Sequence, residues 1–155
     1  MNEKTVVLTR VFDAPRRLVF QAWTRPEALA QWFGPRGFTV PSCETDPRAG
    51  GLFRLCMRAP DGKNYWVRGA YREIVAPERL VITCTAEDDK GVARLEEVIN
   101  VVLEERGGRT TLTLNATARG LGDEAAKMLA GMQKGWAQTV DRLNTLLDSK
   151  PQKET

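Results

Sequence analysis

Glu97 is the residue whose position most suggests chemistry, because it interrupts an otherwise apolar row of alternating residues, Leu95, Ile99, Val101 and Leu103. A carboxylate in that row must reach solvent from a strand end, pair with a cation such as Arg68 or Arg10, or line a wet cavity, since an unpaired buried charge is costly. Burial and escape to solvent both remain open from the sequence. Arg10, between Leu8 and Phe12, poses the same question, and at an expected sheet edge it is expected to face solvent. Tyr71 is a polar-tipped aromatic that could give a bound molecule one hydrogen bond or sit satisfied in the core. Acid–base catalysis would need Glu97 together with Tyr71 or an arginine, because the chain contains no histidine. That absence removes His-based triads, Cys–His pairs and His-ligated metals, and it leads to the expectation of little pH dependence near neutrality. Cys43, Cys56 and Cys84 form no CxxC pair, so neither a disulfide framework nor a zinc site is indicated; they read as small buried strand residues, with a reactive thiol as the alternative. Asp46-Pro47-Arg48-Ala49-Gly50-Gly51 lacks the Gly-x-Gly spacing and following helix of a phosphate loop and reads as a turn. No cofactor or metal is expected.

The element that must position these groups is C-terminal. Ala125, Leu129, Met132, Trp136, Val140, Leu143 and Leu147 recur at spacings of three and four, which predicts one face of a single long α-helix from Gly122 to Lys150, capped by Asp123. Roughly 26 residues at about 1.5 Å rise give about 40 Å, enough to cross a small domain. Gly131 and Gly135 sit one turn apart inside it, each costing about 1 kcal/mol against alanine. Close packing against a sheet or space for a ligand would each account for them.

Before that helix the signals are those of strands. Thr5–Phe12 is β-rich and gives way at Asp13-Ala14-Pro15 to a short helix, and Thr24-Arg25-Pro26-Glu27 has the capping-box spacing for a second, bearing Leu29, Trp32 and Phe33. From Phe38 to Ala118, turn residues come at strand-like intervals: Asp46–Gly51, Pro60–Lys63, Ala76–Glu78, Glu87–Gly91 and Gly107-Gly108. Six strands in a meander plus the first make seven, antiparallel because the connections are too short for crossovers. Phe53, Leu55 and Met57, and likewise Leu112 and Leu114, alternate with polar or smaller neighbours, so one face is dry and requires the long helix as its cover. The predicted fold is α+β: a curved antiparallel seven-stranded sheet wrapped around one long C-terminal helix, with two short helices after the first strand.

Size and charge bound the rest. The 155 residues suffice for one domain, taken as 1–149 with a flexible tail at 150–155. A net charge of +3 with both signs interspersed argues against nucleic acid or an anionic membrane as partner. An N-terminus without an apolar segment, and no apolar run of membrane-spanning length, lead to the expectation of a cytoplasmic protein without membrane insertion.

In combination, Arg10-x-Phe12-Asp13-Ala14-Pro15, Ala22-Trp23-Thr24-x-Pro26-Glu27, Trp32-x-Gly34-Pro35, Asp46-x-Arg48-x-Gly50-Gly51, Gly69-x-Tyr71-x-Glu73-Ile74, Pro77-Glu78-Arg79-Leu80 and Gly135-Trp136 resemble bacterial members of a known family. It is the family named for the activator of the heat-shock protein 90 ATPase, in the START-like (SRPBCC) helix-grip superfamily. The resemblance runs from about Thr5 to Leu147. It implies a deep apolar cavity between helix and sheet, used in various relatives to carry lipid-like molecules and occasionally to act on them.

The leading functional expectation is therefore non-enzymatic binding of a small apolar or lipid-like molecule in that cavity. Its expected ligand-binding residues are Trp32, Phe53, Leu55, Met57, Tyr71, Glu97, Ile99, Met128, Met132 and Trp136, each of which could instead simply fill the core. The alternatives are a protein-interaction module, contacting a chaperone or forming a homodimer through a strand edge, and an enzyme of cyclase, dehydratase or hydrolase type.

Overall fold

The computed structural model describes residues 2–149 of the chain. Its seven strands are β1 (Glu3–Phe12), β2 (Thr39–Thr45), β3 (Leu52–Arg58), β4 (Asn64–Val75), β5 (Arg79–Glu87), β6 (Ala93–Arg106) and β7 (Arg109–Gly120). They form one sheet in the order β1-β7-β6-β5-β4-β3-β2, antiparallel at every step. β2 to β7 are a simple meander, as the short turns require. The first strand closes on the last, with Val6 opposite Ala116 and Phe12 opposite Thr110.

Two short helices, α1 (Arg16–Thr24) and α2 (Pro26–Trp32), follow β1, and β7 is followed by a single 3-10 turn at Asp123–Ala125, then α3 (Ala126–Ala130) and α4 (Met132–Ser149). All seven residues of the predicted C-terminal stripe, from Ala125 to Leu147, are buried against the inner face of the sheet. That face is dry for the reason the alternation gave: Phe53, Leu55, Ile82, Ile99, Val101, Leu112 and Leu114 all point inward. The α+β arrangement of a curved sheet around a C-terminal helix is as expected from the sequence. The expected tail at 150–155 lies outside the described residues.

The single uninterrupted helix is corrected. It breaks at Gly131, whose N–H is shared between the carbonyls of Lys127 and Met128 at 3.3 and 3.2 Å. Its ψ of −4° tightens the turn, and glycine resists this least because it prefers the helix least. The expected caps also differ. Asp123 makes no capping bond, and the turn is preceded by Gly122 with φ of 88°. Thr24 turns its hydroxyl back to the carbonyls of Phe20 and Gln21, so it ends α1 instead of opening α2, and Arg25 stands at the N-cap. α2 stops at the Gly34 turn, where φ of 106° favours glycine.

Candidate functional site

A pocket of about 330 Å³ opens where the C-terminal helix breaks. Its floor is the sheet, through Met57 of β3, Val67 of β4, Ala86 of β5, and Leu95, Glu97 and Ile99 of β6. Its roof is Met128 of α3 with Met132, Trp136 and Thr139 of α4. The side wall is the segment after α2, with Phe33, Gly34, Pro35 and Phe38. Exposed Lys127 stands at the mouth.

The break and the wall follow from identifiable residues. Gly131 and Gly135 both line the pocket, and neither is there for close packing: a Cβ at Gly131 would meet only the Lys127 and Met128 carbonyl oxygens at 3.8 Å, and one at Gly135 only Pro35 at 3.8 Å. These are ordinary contact distances, so of the two explanations drawn from the sequence, packing against the sheet is not the reason. The wall segment is tied to α4 by Arg142, whose guanidinium donates to the carbonyls of Gly34, Pro35 and Gln31 at 3.0, 3.1 and 3.3 Å. The Gln138 side chain accepts the Arg36 backbone N–H at 3.1 Å. Helix and wall are thus one assembly.

Of the ten residues singled out from the sequence, Met57, Glu97, Ile99, Met128, Met132 and Trp136 line this pocket. Trp32, Phe53, Leu55 and Tyr71 do not. Trp32 is fully buried and donates its indole N–H to the Ala22 carbonyl at 2.9 Å. It meets Trp23 edge-on at 4.8 Å, and Trp23 in turn stacks on Trp136 at 6.4 Å, so Trp32 supports the roof from behind. Phe53 backs Phe33 in the same way at 5.9 Å. Leu55 is wholly enclosed. Tyr71 donates its hydroxyl to the Trp23 carbonyl at 3.0 Å, which makes it a satisfied core tyrosine; burial pushes its ionisation well above the usual range. Phe33, which the resemblance implies stands with Trp32 at the cavity mouth, does line the pocket, whereas Phe38 and Tyr65 were missed. The Trp32-Phe33 pair was visible at the end of a helix, but which ring turned toward the pocket depends on the Gly34 turn.

Glu97 resolves toward burial. It lies mid-strand, in a row across the sheet with Gly69, Cys84 and Ala118, whose small side chains leave its carboxyl room. The surface it keeps opens on the pocket, and the Trp136 side chain hydrogen-bonds to it. Loss of water raises its pKa from 4.5 to about 7, with the Trp136 bond pulling in the other direction. A group titrating near 7 replaces the little pH dependence expected from the lack of histidine. Neither suggested arginine reaches it. Arg68 bonds Glu87 at 2.7 Å, and Arg10, still partly exposed, turns toward α4 and pairs with Asp141. The constellation of Glu97 with Tyr71 or an arginine is therefore not assembled. The thiols of Cys43, Cys56 and Cys84 are all pushed upward by burial, Cys43 to about 11, so each is held as the unreactive thiol. Among the described residues no group of His, Cys, Asp or Glu is arranged to hold a metal, and no helix is long and apolar enough to cross a membrane.

Comparison with known proteins bears on this architecture. Residues 13–148 match the family model described as Activator of Hsp90 ATPase homolog 1-like protein. Among solved structures, a protein of Nitrosomonas europaea is 27% identical with a TM-score of 0.75, the match covering 93% of this chain and 94% of that one. A protein of Chromobacterium violaceum is likewise 27% identical with a TM-score of 0.75, over 94% of this chain and 98% of its own. The AHSA1 protein of Silicibacter pomeroyi is 26% identical with a TM-score of 0.74, over 94% and 98%. No curated protein matches the chain.

Proposed function

The chain belongs to the Activator of Hsp90 ATPase homolog 1-like family of helix-grip proteins, and from that premise we propose that it binds a small, largely apolar molecule in the pocket at the helix break. The observation that carries this reading is the pair of helix glycines over an unfilled space. Gly135 weakens α4 by about 1 kcal/mol relative to alanine and Gly131 marks the break, and neither is forced by a neighbour, since the nearest atoms lie at 3.8 Å. Room for a guest accounts for both. Met57, Met128 and Met132 support it, because flexible thioether side chains adapt to guests of different shape. The three unpaired cysteines support a reducing compartment, the cytoplasm.

The test is a titration with the neutral apolar fluorophore N-phenyl-1-naphthylamine. Saturable one-to-one binding with quenching of tryptophan emission is expected, because Trp136 forms part of the roof. Gly131→Leu should place a side chain at the pocket mouth and weaken binding more than tenfold, about 1.4 kcal/mol, with an unchanged circular dichroism spectrum. Non-saturating partition in the parent, or a folded Gly131→Leu variant that binds equally well, would leave the protein without a guest site here.

A further inference from the structure

We propose that the guest is a lipophilic amine, bound as its ammonium ion by the Glu97 carboxylate within the aromatic pocket. The inference rests on the apolar-pocket reading above and adds the charge of the ligand.

Side chains from β4, β5, α3 and α4 surround Glu97. From β5 come the neutral Cys84 thiol and Glu87, which is held by Arg68 at 2.7 Å. β4 supplies Tyr65; α4 supplies Trp136 and Thr139, whose hydroxyl donates back to the Gly135 carbonyl at 2.7 Å. α3 supplies exposed Lys127 at the mouth. Among the described residues no cation pairs with Glu97, although ten ion pairs bind other carboxylates.

A carboxyl placed thus serves no packing purpose. Leucine would suit the row better, and glutamine would keep the bond from Trp136. The desolvation of the carboxyl is already part of the folded state, so an entering ammonium ion meets a charge that water does not compete for. The remaining requirement is compensation for the water the ammonium loses. The rings of Phe33, Phe38, Tyr65 and Trp136 around the pocket offer faces for a cation, with Phe33 and Trp136 perpendicular at 5.8 Å. A volume of about 330 Å³ leaves room for a fused bicyclic ring beside the ammonium.

The sign of the pH dependence follows. An alkyl ammonium stays protonated through neutrality, so binding requires ionised Glu97 and strengthens as pH rises through about 7, then levels off. Between pH 6 and 8 the gain should be about tenfold. Across that range the buried Cys84 thiol, pushed up by burial, remains protonated.

The experiment is calorimetric titration of the full chain with 1-naphthylmethylamine, 1-naphthylmethanol and 1-naphthoate, which share a ring and differ in head group. At pH 8 the amine should bind at least tenfold more tightly than either of the others. Glu97→Gln should remove most of that advantage and change the alcohol's affinity less than threefold. In the parent at pH 7, titration in two buffers of different ionisation heat should show about half a proton released per amine bound and none per alcohol. An alcohol that binds as tightly as the amine, or amine binding without proton release, overturns the proposal and leaves the apolar-pocket reading standing. Failure of all three to saturate removes the pocket reading itself.

Discussion

Between pH 4.5 and 7 the folded protein keeps a proton on Glu97 that the unfolded chain has already released. A carboxyl whose folded pKa lies above its unfolded value contributes full stability below pH 4.5. Stability then declines as pH rises through the window and stays reduced above 7. Two and a half pH units correspond to roughly 3 kcal/mol. Urea melts at pH 5 and pH 8 should therefore show the parent losing stability relative to Glu97→Gln, whose amide can still accept the Trp136 bond; equal losses in both would place the carboxyl in water. The sequence showed that Glu97 breaks an apolar row, but not how deep it lies. Its depth is set by pairing with Cys84 and Ala118, residues brought alongside by strand register, and no local pattern near Glu97 announces them. Tyr71 was ambiguous for the opposite reason: its partner is a backbone carbonyl, that of Trp23, and a carbonyl leaves no mark on residue type.

At the scale of elements, periodicity was informative about faces and silent about continuity. The seven-residue stripe from Ala125 to Leu147 is buried throughout because side chains three and four apart share a face whether or not the helix is continuous. The break between α3 and α4 rests on one hydrogen bond shared at Gly131, and a glycine in a helical run is compatible with either outcome. Gly131 has negative φ and open space around its Cβ position, so alanine fits without strain. Gly131→Ala should stabilise the empty protein by roughly 0.5–1 kcal/mol, read as a raised urea midpoint with unchanged slope. A destabilised variant would mean that the turn at 131 requires glycine. The strands were the most legible elements, since Asn64–Val75 and the start of Arg79–Glu87 fall where Pro60–Lys63 and Ala76–Glu78 set them. The caps were the least legible, because Thr24 has a choice of carbonyls that its spacing to Glu27 does not reveal.

At the scale of the whole molecule, stability is distributed unevenly. The sheet is paired from β1 to β2 without a gap, and α4 is fastened to β1 by Arg10 and Asp141 and to the wall by Arg142. Opening any of these exposes the common core of Val140, Leu143 and Leu147. The segment from Gly122 to Gly131 has less to hold it: a single 3-10 turn, a five-residue helix, buried Ala125 and Leu129, and a bridge from Glu124 to Arg94 at 2.9 Å with Glu124 itself exposed. Such a segment should open with a free energy below that of global unfolding, and because it carries Met128 and borders the pocket, its opening widens the mouth. Native-state hydrogen exchange should then show the Leu129 amide protected at least a hundredfold less than those of Val140 and Leu143. A saturating guest that contacts Met128 should narrow that difference by slowing Leu129 alone, since it stabilises the closed segment without altering the sheet. Equal protection along α3 and α4 would mean that the two helices open as one unit, and entry to the pocket would then have to pass the Gly34–Phe38 wall instead.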